Sequence, residues 1–222
     1  MKAKTEELKQ AIQGTKEFRR LHPGKYSDEE QAEFNLLKEL REERRRERDD
    51  TLLRELEGVS RQINRKDFEV SFSQRDGPGG KKVYVIDREL PDQFYAIKKL
   101  EANLASLYRL KPANRDEVMK QLIGMISDGF NYHVLRTDIS SFFESVPHDR
   151  LLNKLKDDQL LSQKSLRLIS GILFRYAGLA STPGVGLPRG LGISSYLSEL
   201  YMRDFDQRVR MLDDVVFYAR YV

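Results

Sequence analysis

The sequence contains no cysteine, no tryptophan and only three histidines among its 222 residues. Without cysteine it cannot form a disulfide framework, a thiolate nucleophile or a cysteine-ligated zinc or iron–sulfur site. Any metal ion must therefore be held by aspartate, glutamate, a backbone carbonyl or a histidine. These ligands favour hard cations such as Mg²⁺, with Mn²⁺ as a second option.

Long apolar runs are also missing. Residues 1–7 carry charge and no hydrophobic core, which excludes a secretory signal at the start of this sequence. No run is long enough to span a bilayer. We therefore expect a cytoplasmic protein that does not enter a membrane.

The basic excess is small, because 39 lysines and arginines face 35 aspartates and glutamates and leave a formal net charge of +4. The most charged stretch, residues 41–50, contains five arginines and five acids and is locally neutral. We expect an exposed helix there, with ion pairs between residues one turn apart, rather than a phosphate-binding stripe.

Residues 1–65 are predicted to form a charged helical N-terminal arm. A first helix is expected from residue 3 to about residue 20, before the helix-breaking sequence at 22–24. Ser27 fits the N-cap of a second helix that reaches about Asn64. The apolar residues of this helix lie at its two ends, so the arm should lie on the surface or contact a partner, such as a second copy of the chain.

Residues 66–130 begin with a predicted β-hairpin. Apolar and polar residues alternate over 68–72 and resume at 83–85, on either side of a Gly/Pro turn at 76–80. Two helices should follow, at about 91–110 and 114–127, with Pro112 between them and Asn114 as the second N-cap.

Residues 131–222 mix predicted strands and helices. The elements expected along the chain are a strand at 133–138, a helix opening at Pro147, a helix at 163–176, a Gly-rich loop, a helix over 193–209, a turn at Asp213 and Asp214, and a strand at 215–222. Together with the hairpin, this predicts an α+β fold.

Two features of this region could carry chemistry, although each alone is ordinary. Asp138 ends a predicted strand, where a carboxylate can bind a metal ion or simply form a turn. Leu187 to Ser195 read Leu-Pro-Arg-Gly-Leu-Gly-Ile-Ser-Ser, a loop that permits close backbone approach, before a helix that Ser194 or Ser195 could cap. The loop is not a P-loop, because it lacks the Gly-Lys-Ser/Thr ending.

The order of these features is more specific than any one of them. A strand ending in Asp-x-x-x-Phe-Phe, then a Leu-Pro-x-Gly loop and helix, then an aromatic Tyr-Ala-Arg-Tyr-Val strand resemble the palm of reverse transcriptases. Residues 134–146 are similar to the family's first palm motif, 187–202 to its second, and 217–222 to the lead-in to its third, whose hallmark is Asp-Asp. The resemblance covers roughly 81–222 and is nearest to bacterial phage-defence and abortive-infection enzymes.

This resemblance implies an α+β fold with reverse-transcriptase fingers at 66–130 and a partial palm at 131–222, in which a small antiparallel sheet packs on helices. It also implies an RNA-directed DNA polymerase that transfers deoxynucleotides from dNTPs to a DNA or protein primer along an RNA template, with two Mg²⁺ ions. Asp138 would be the catalytic residue that bridges the ions, and the Ile139 carbonyl would help to hold one of them.

The same resemblance assigns nucleotide contacts to five residues: Ile139, Phe143, Arg189, Gly190 and Ser194. The Phe143 ring would pack under the incoming sugar and exclude a 2′-hydroxyl. Lys81, Lys82 and Arg88 are candidates for binding the triphosphate. Glu144 could approach the metal side, but a solvated loop acid is the preferred expectation.

Three departures from the family pattern matter. Arg189 stands where retroviral enzymes usually have Gln, and Ser195 replaces a frequent Pro, which leaves the use of a template open. The Asp-Asp pair would follow Val222, so we expect a truncated product or fragment that is inactive alone.

Two other functions remain open at this point. The first is a non-catalytic module that binds nucleic acid or another subunit through a palm remnant. The second is a palm-like nucleotide cyclase, which the Leu-Pro-Arg-Gly loop disfavours.

Overall fold

The computed structural model describes residues 2–87, 89–110 and 114–220. They are mostly helical and contain one small sheet of two antiparallel strands. This agrees with the predicted α+β class at that coarse level. The chain divides into two compact units, Met1–Lys66 and Asp67–Val222, and the second unit includes both regions that the resemblance assigns to fingers and palm.

The first unit is a pair of helices, α1 (Lys2–Leu21) and α2 (Asp28–Ile63). Ser27 caps α2 as predicted, since its hydroxyl accepts from the Glu30 amide and the Glu30 carboxylate accepts from the Ser27 amide.

Contacts at both ends of α1 make the two helices antiparallel. Lys4 pairs with Glu47 at 2.8 Å near one end of α1, and Phe18 stacks on Phe34 with ring centroids 5.4 Å apart near the other. The predicted ion pairs within α2 form as well, including Arg44 with Glu47.

The predicted hairpin forms, but its first strand starts later than expected. The strands are β1 (Ser73–Asp76) and β2 (Lys82–Val85), paired from Ser73 opposite Val85 to Asp76 opposite Lys82. The alternating residues 68–72 precede β1, so their assignment to the strand was wrong.

The side-chain amide of Gln93 explains this difference. It accepts from the Ser71 amide at 2.7 Å and donates to the Glu69 carbonyl at 3.3 Å, so it satisfies two backbone groups that a neighbouring strand would otherwise bind. Val70 and Phe72 are buried nonetheless, which explains the alternation in the sequence.

The helices of the second unit lie close to their predicted positions. They are α3 (Pro91–Leu107), α4 (Arg115–Ile126, capped by Asn114), the single turn α5 (Phe142–Ser145), α6 (His148–Asp157), α7 (Gln163–Ala180) and α8 (Gly192–Arg210). Pro112 lies outside the described residues. Helix α3 packs on α8 and α6 packs on α7, and these helices supply most of the fully buried side chains of the unit, among them Leu104, Leu151, Ile172 and Leu197.

Two predicted strands do not form in the described residues, and the last two residues of the second, Tyr221 and Val222, lie outside them. Residues 133–138 form neither helix nor strand, and Val134 and Leu135 are 63% and 89% exposed. Residues 215–220 form no strand either, although the predicted turn at Asp213 and Asp214 is present. Both segments have strand-like side chains, but a strand also needs a hydrogen-bonded neighbour, and no described segment pairs with them.

None of the helices in the described parts of the chain combines the length and the apolar character needed to cross a bilayer.

Candidate functional site

The Leu-Pro-Arg-Gly loop, residues 187–190, is held against α5 and the start of α6 by backbone contacts on its N-terminal side. The contacts are three hydrogen bonds, from the Leu187 amide to the Phe143 carbonyl at 2.6 Å, from Gly186 to Val146 at 2.8 Å and from His148 to Gly184 at 2.9 Å. The buried His148 ring adds a fourth polar contact, with its Nε2 atom 2.6 Å from the Gly186 carbonyl oxygen. The fold thus fixes the loop before any ligand is considered.

The C-terminal side of the loop lies against the hairpin. The Tyr84 amide donates to the Arg189 carbonyl at 2.7 Å. Gly190 has a positive φ of 96°, and a Cβ atom there would lie 2.9 Å from the Tyr84 carbonyl oxygen. A glycine is therefore required for both the backbone conformation and the close approach. The predicted approach does occur, and its partner is strand β2.

Arg189 connects the loop to α5 through its side chain. Its Nη2 atom donates to Glu144 Oε1 at 2.9 Å, and its guanidinium carbon lies 5.2 Å from the centre of the Phe143 ring. Burial is the largest single influence on Glu144 and opposes its charge, but the hydrogen bond from Arg189, a backbone hydrogen bond and the charges of Arg189 and Lys81 together lower the pKa of Glu144. Glu144 therefore differs from the solvated loop acid that was expected: it lies in α5 and is ion-paired, while its side chain keeps 41% exposure.

The Arg189–Glu144 pair leaves two polar atoms unsatisfied. Arg189 Nε, a donor, and Glu144 Oε2, an acceptor, are both buried and have no hydrogen-bond partner. Buried polar groups are costly when unpaired. A group that both donates and accepts, such as water or a ligand hydroxyl, has the chemistry to satisfy them.

Ser194 binds the backbone of the loop through its side chain. It is 1% exposed, and its hydroxyl donates to the Pro188 carbonyl at 2.7 Å. The N-cap position of α8 is Leu191, so neither Ser194 nor Ser195 caps this helix. The structure therefore gives Ser194 a positioning role for the residues that precede Arg189.

Asp138 and Ile139 lie in the segment between α4 and α5 that forms no regular structure. Both are exposed, and Asp138 makes no hydrogen bond or ion pair with any residue that the structure describes. The structure thus brings Phe143, Arg189 and Gly190 together and leaves Asp138 on an uncovered segment.

The metal ligands that the resemblance implies are only partly supplied by these residues. An exposed carboxylate and an adjacent carbonyl suit Mg²⁺, which commonly binds through one or two carboxylates and substrate phosphates. Across 2–87, 89–110 and 114–220, however, no group of three or more metal-ligating side chains occurs. Asp138 and Ile139 would therefore contribute to such a site without completing it.

The basic residues considered for the triphosphate differ in their surroundings. Lys82 forms an ion pair with Asp76 across the hairpin, while Lys81 is exposed and close enough to lower the pKa of Glu144. Arg88 lies outside the described residues. Lys81 is thus the better placed of the two described candidates.

Sequence reasoning did not identify Tyr84 and Glu144 as parts of this site. Tyr84 contributes through its backbone, which leaves no side-chain signal. Glu144 had one usable signal, because it follows Phe143 directly and the resemblance places Phe143 near the charged Arg189.

No protein-family model matches this chain, and no curated protein or solved structure is similar to it at a significant level.

Proposed function

We propose that this chain is the fingers and partial palm of a reverse transcriptase, an RNA-directed DNA polymerase that uses an RNA template, a DNA or protein primer, dNTPs and Mg²⁺. One observation carries the proposal: the guanidinium of Arg189 lies against the Phe143 ring. These residues are 46 positions apart, and the resemblance assigns both of them to the incoming nucleotide.

The chemistry of this pair suits a deoxynucleotide. A guanidinium donates to phosphate oxygens in a fixed planar geometry. An aromatic ring beside it offers a flat apolar surface for a deoxyribose and leaves no room for a 2′-hydroxyl. The backbone contacts to Phe143 and Tyr84 hold both groups in place, which reduces the entropy lost on binding.

The proposed roles follow from these positions. Arg189 binds and orients the nucleotide, Phe143 selects its sugar, and Ser194 keeps the loop in place. Bound Mg²⁺ would activate the primer hydroxyl and stabilise the leaving pyrophosphate. Asp138 and the Ile139 carbonyl are the residues of this chain that would help to hold it.

Sugar selection provides the test. Calorimetric titration of the 222-residue chain with dATP and with ATP, both in Mg²⁺, measures two dissociation constants. We expect dATP to bind more tightly, and Phe143→Ala to reduce this preference at least severalfold. Phe174→Ala is the matched control, because it removes the same ring at a position that is 82% exposed on α7 and has no proposed role in nucleotide binding. Equal binding of both nucleotides by the unmodified chain would contradict the proposal.

Catalysis by the 222-residue chain is a separate question. Asp138 is the only one of the expected catalytic carboxylates in this sequence, so we expect nucleotide binding without incorporation. Incorporation of dNTPs that Asp138→Ala abolishes would refute this expectation.

A second candidate function, a subunit-interaction module, is favoured by the uncovered segment 130–139. Phe130, Val134, Leu135 and Ile139 are between 48% and 89% exposed, and no backbone hydrogen bond joins residues 131–140 to the rest of the described chain. Unpaired backbone groups beside β-branched and apolar side chains are a template for strand pairing.

The sequence of this segment fits a second copy of itself. In an antiparallel pair of two copies centred on Thr137, Arg136 lies opposite Asp138 and Leu135 lies opposite Ile139. Because the pair has two-fold symmetry, each of these pairings occurs twice. Asp138 would then bind Arg136 rather than a metal ion. The two candidate functions therefore assign the same carboxylate to different partners.

A further inference from the structure

A cleft of about 520 Å³ lies where the C-terminal end of α3 meets α8, and none of its lining residues belongs to the site described above. Arg109, Arg203 and Arg210 line it, together with Glu199 and Asp206. Its volume is within the range that holds small-molecule ligands.

The two acids of the cleft share one arginine as their ion-pair partner. Arg220 binds Glu199 at 2.7 Å and Asp206 at 2.8 Å, and all three side chains are at most 16% exposed. Burial is the largest single influence on Asp206 and opposes its charge, but the hydrogen bonds from Arg220 and Tyr218, together with the charges of Arg220 and Arg210, lower the pKa of Asp206. Both carboxylates are therefore bound to the Arg220 guanidinium.

The three lining arginines have no such partner. No ion pair joins Arg109, Arg203 or Arg210 to a carboxylate of residues 2–87, 89–110 or 114–220; Arg210 lies 5.8 Å from the centre of the Tyr218 ring, and its charge helps to lower the pKa of Asp206. With Arg220, four arginines therefore face two carboxylates at the cleft. The cleft thus presents an excess of positive charge that the described residues leave uncompensated.

Arg109 has a left-handed backbone conformation, which glycine adopts more easily than other residues. It has a φ of 51°, and the amide of the next residue, Leu110, donates to the Ala105 carbonyl at 3.0 Å. This is the Schellman arrangement at the end of α3, in which a residue with a side chain adds strain at the left-handed position. The strain places a guanidinium at the cleft.

From the uncompensated arginines and the strained Arg109 we infer that this cleft binds a small polyphosphate or a nucleoside polyphosphate. Three guanidinium groups can surround the oxygens of a phosphate chain, and the planar donor geometry of arginine matches them. Leu110 and Met211 add apolar surface at the same cleft for the remainder of a ligand.

The test is calorimetric titration of the 222-residue chain with sodium tripolyphosphate, at low salt and with EDTA to remove divalent cations. We expect saturable binding to one site, and a roughly tenfold loss of affinity for Arg203→Gln, the effect of removing one charge-assisted hydrogen bond. Arg208→Gln is the matched control, since Arg208 lies on the same helix, makes the same change in charge and does not line the cleft.

Arg109→Gly gives a second readout that a folding defect cannot mimic. It should weaken tripolyphosphate binding while keeping or raising the melting temperature, because glycine relieves the strain at the left-handed position. Unchanged affinity in Arg109→Gly and Arg203→Gln, or an equal loss in Arg208→Gln, overturns the proposal. Arg189→Gln should leave tripolyphosphate binding unchanged, because Arg189 does not line this cleft. The variant therefore separates binding at the cleft from nucleotide binding at the Leu-Pro-Arg-Gly loop.

Discussion

Arg189 and Glu144, 45 residues apart, share a single hydrogen bond of 2.9 Å, and each keeps a second polar atom buried without a partner. The pair joins the Leu-Pro-Arg-Gly loop to α5 and lies beside the Phe143 ring. A ligand can therefore bind the free Arg189 Nε and Glu144 Oε2 atoms without breaking the hydrogen bond that joins the two side chains.

Glu144→Gln should lower stability at neutral pH and not at acidic pH. The pKa of Glu144 is lowered in the folded chain, so its contribution is present above the usual glutamate pKa and is lost as pH falls through the lowered value. We expect a loss of less than about 1 kcal/mol at pH 7, because the side chain is 41% exposed and solvent screens the pair. Urea unfolding of the variant and the unmodified chain at pH 7 and pH 3 measures the loss of unfolding free energy at each pH. An equal loss at the two pH values would exclude this role for the charge.

Gly190→Ala should destabilise the second unit. A Cβ atom would lie 2.9 Å from the Tyr84 carbonyl oxygen, at a positive φ of 96°, and we expect a cost of about 1–3 kcal/mol. The control is Gly171→Ala within α7, where a Cβ meets nothing within 4 Å and should stabilise the helix by about 0.5–1 kcal/mol. If the two substitutions shift the free energy of unfolding in the same direction, the close approach of the loop to the hairpin is contradicted.

Thr137→Cys tests the pairing of segment 130–139 between two copies. The natural chain has no cysteine, so a single thiol at the two-fold centre would meet only its own copy. Opposed residues in antiparallel strands lie about 4.5–5.5 Å apart between Cα atoms, within the range of a disulfide. We expect a covalent dimer on oxidation, seen on a non-reducing gel.

His133→Cys serves as the control for this experiment. In the same register it lies opposite residue 141 and not opposite itself, so it should cross-link far less. Equal cross-linking of the two variants would show that collisions, rather than the register, form the disulfide.

Tyr218→Phe should reduce stability at neutral pH, and the effect should fade in alkali. Burial and the hydrogen bond to Asp206 raise the pKa of Tyr218 to about 12. The contribution is therefore complete below the ordinary tyrosine pKa of about 10 and is lost as pH rises toward 12. Melting temperatures of both proteins at pH 8 and pH 11.5 test this, and a constant difference would contradict it.

The parts of the fold that could be predicted are those with local causes. Ser27 and Asn114 are caps whose partners lie two or three residues away, and both were identified from the sequence. The strands predicted at 133–138 and 215–222 do not form in the described residues, because strand formation depends on a distant neighbour that a local pattern does not reveal. The start of β1 was missed for a similar reason, since Gln93 lies more than twenty residues away from the segment whose backbone it binds.

The candidate site likewise combines residues that could be predicted from the sequence with contacts that depend on distant residues. The resemblance to reverse transcriptases supplied Phe143, Arg189 and Gly190, and the structure brings them together through backbone contacts that no side-chain pattern reveals. The partner of Arg189 was missed although Glu144 directly follows Phe143, because an ion pair over 45 residues has no signal in the local pattern. Asp138 stays a proposal, because the structure leaves it exposed and without a described partner.

Deoxynucleotide binding at the Leu-Pro-Arg-Gly loop is the property on which the proposed function depends most, and an NMR titration of the ¹⁵N-labelled chain with dATP and Mg²⁺ tests it directly. We predict saturable shifts of the amide signals of Phe143, Arg189 and Gly190. Shifts that are confined to residues of the cleft around Arg109, or no shifts at saturating dATP, would contradict the account.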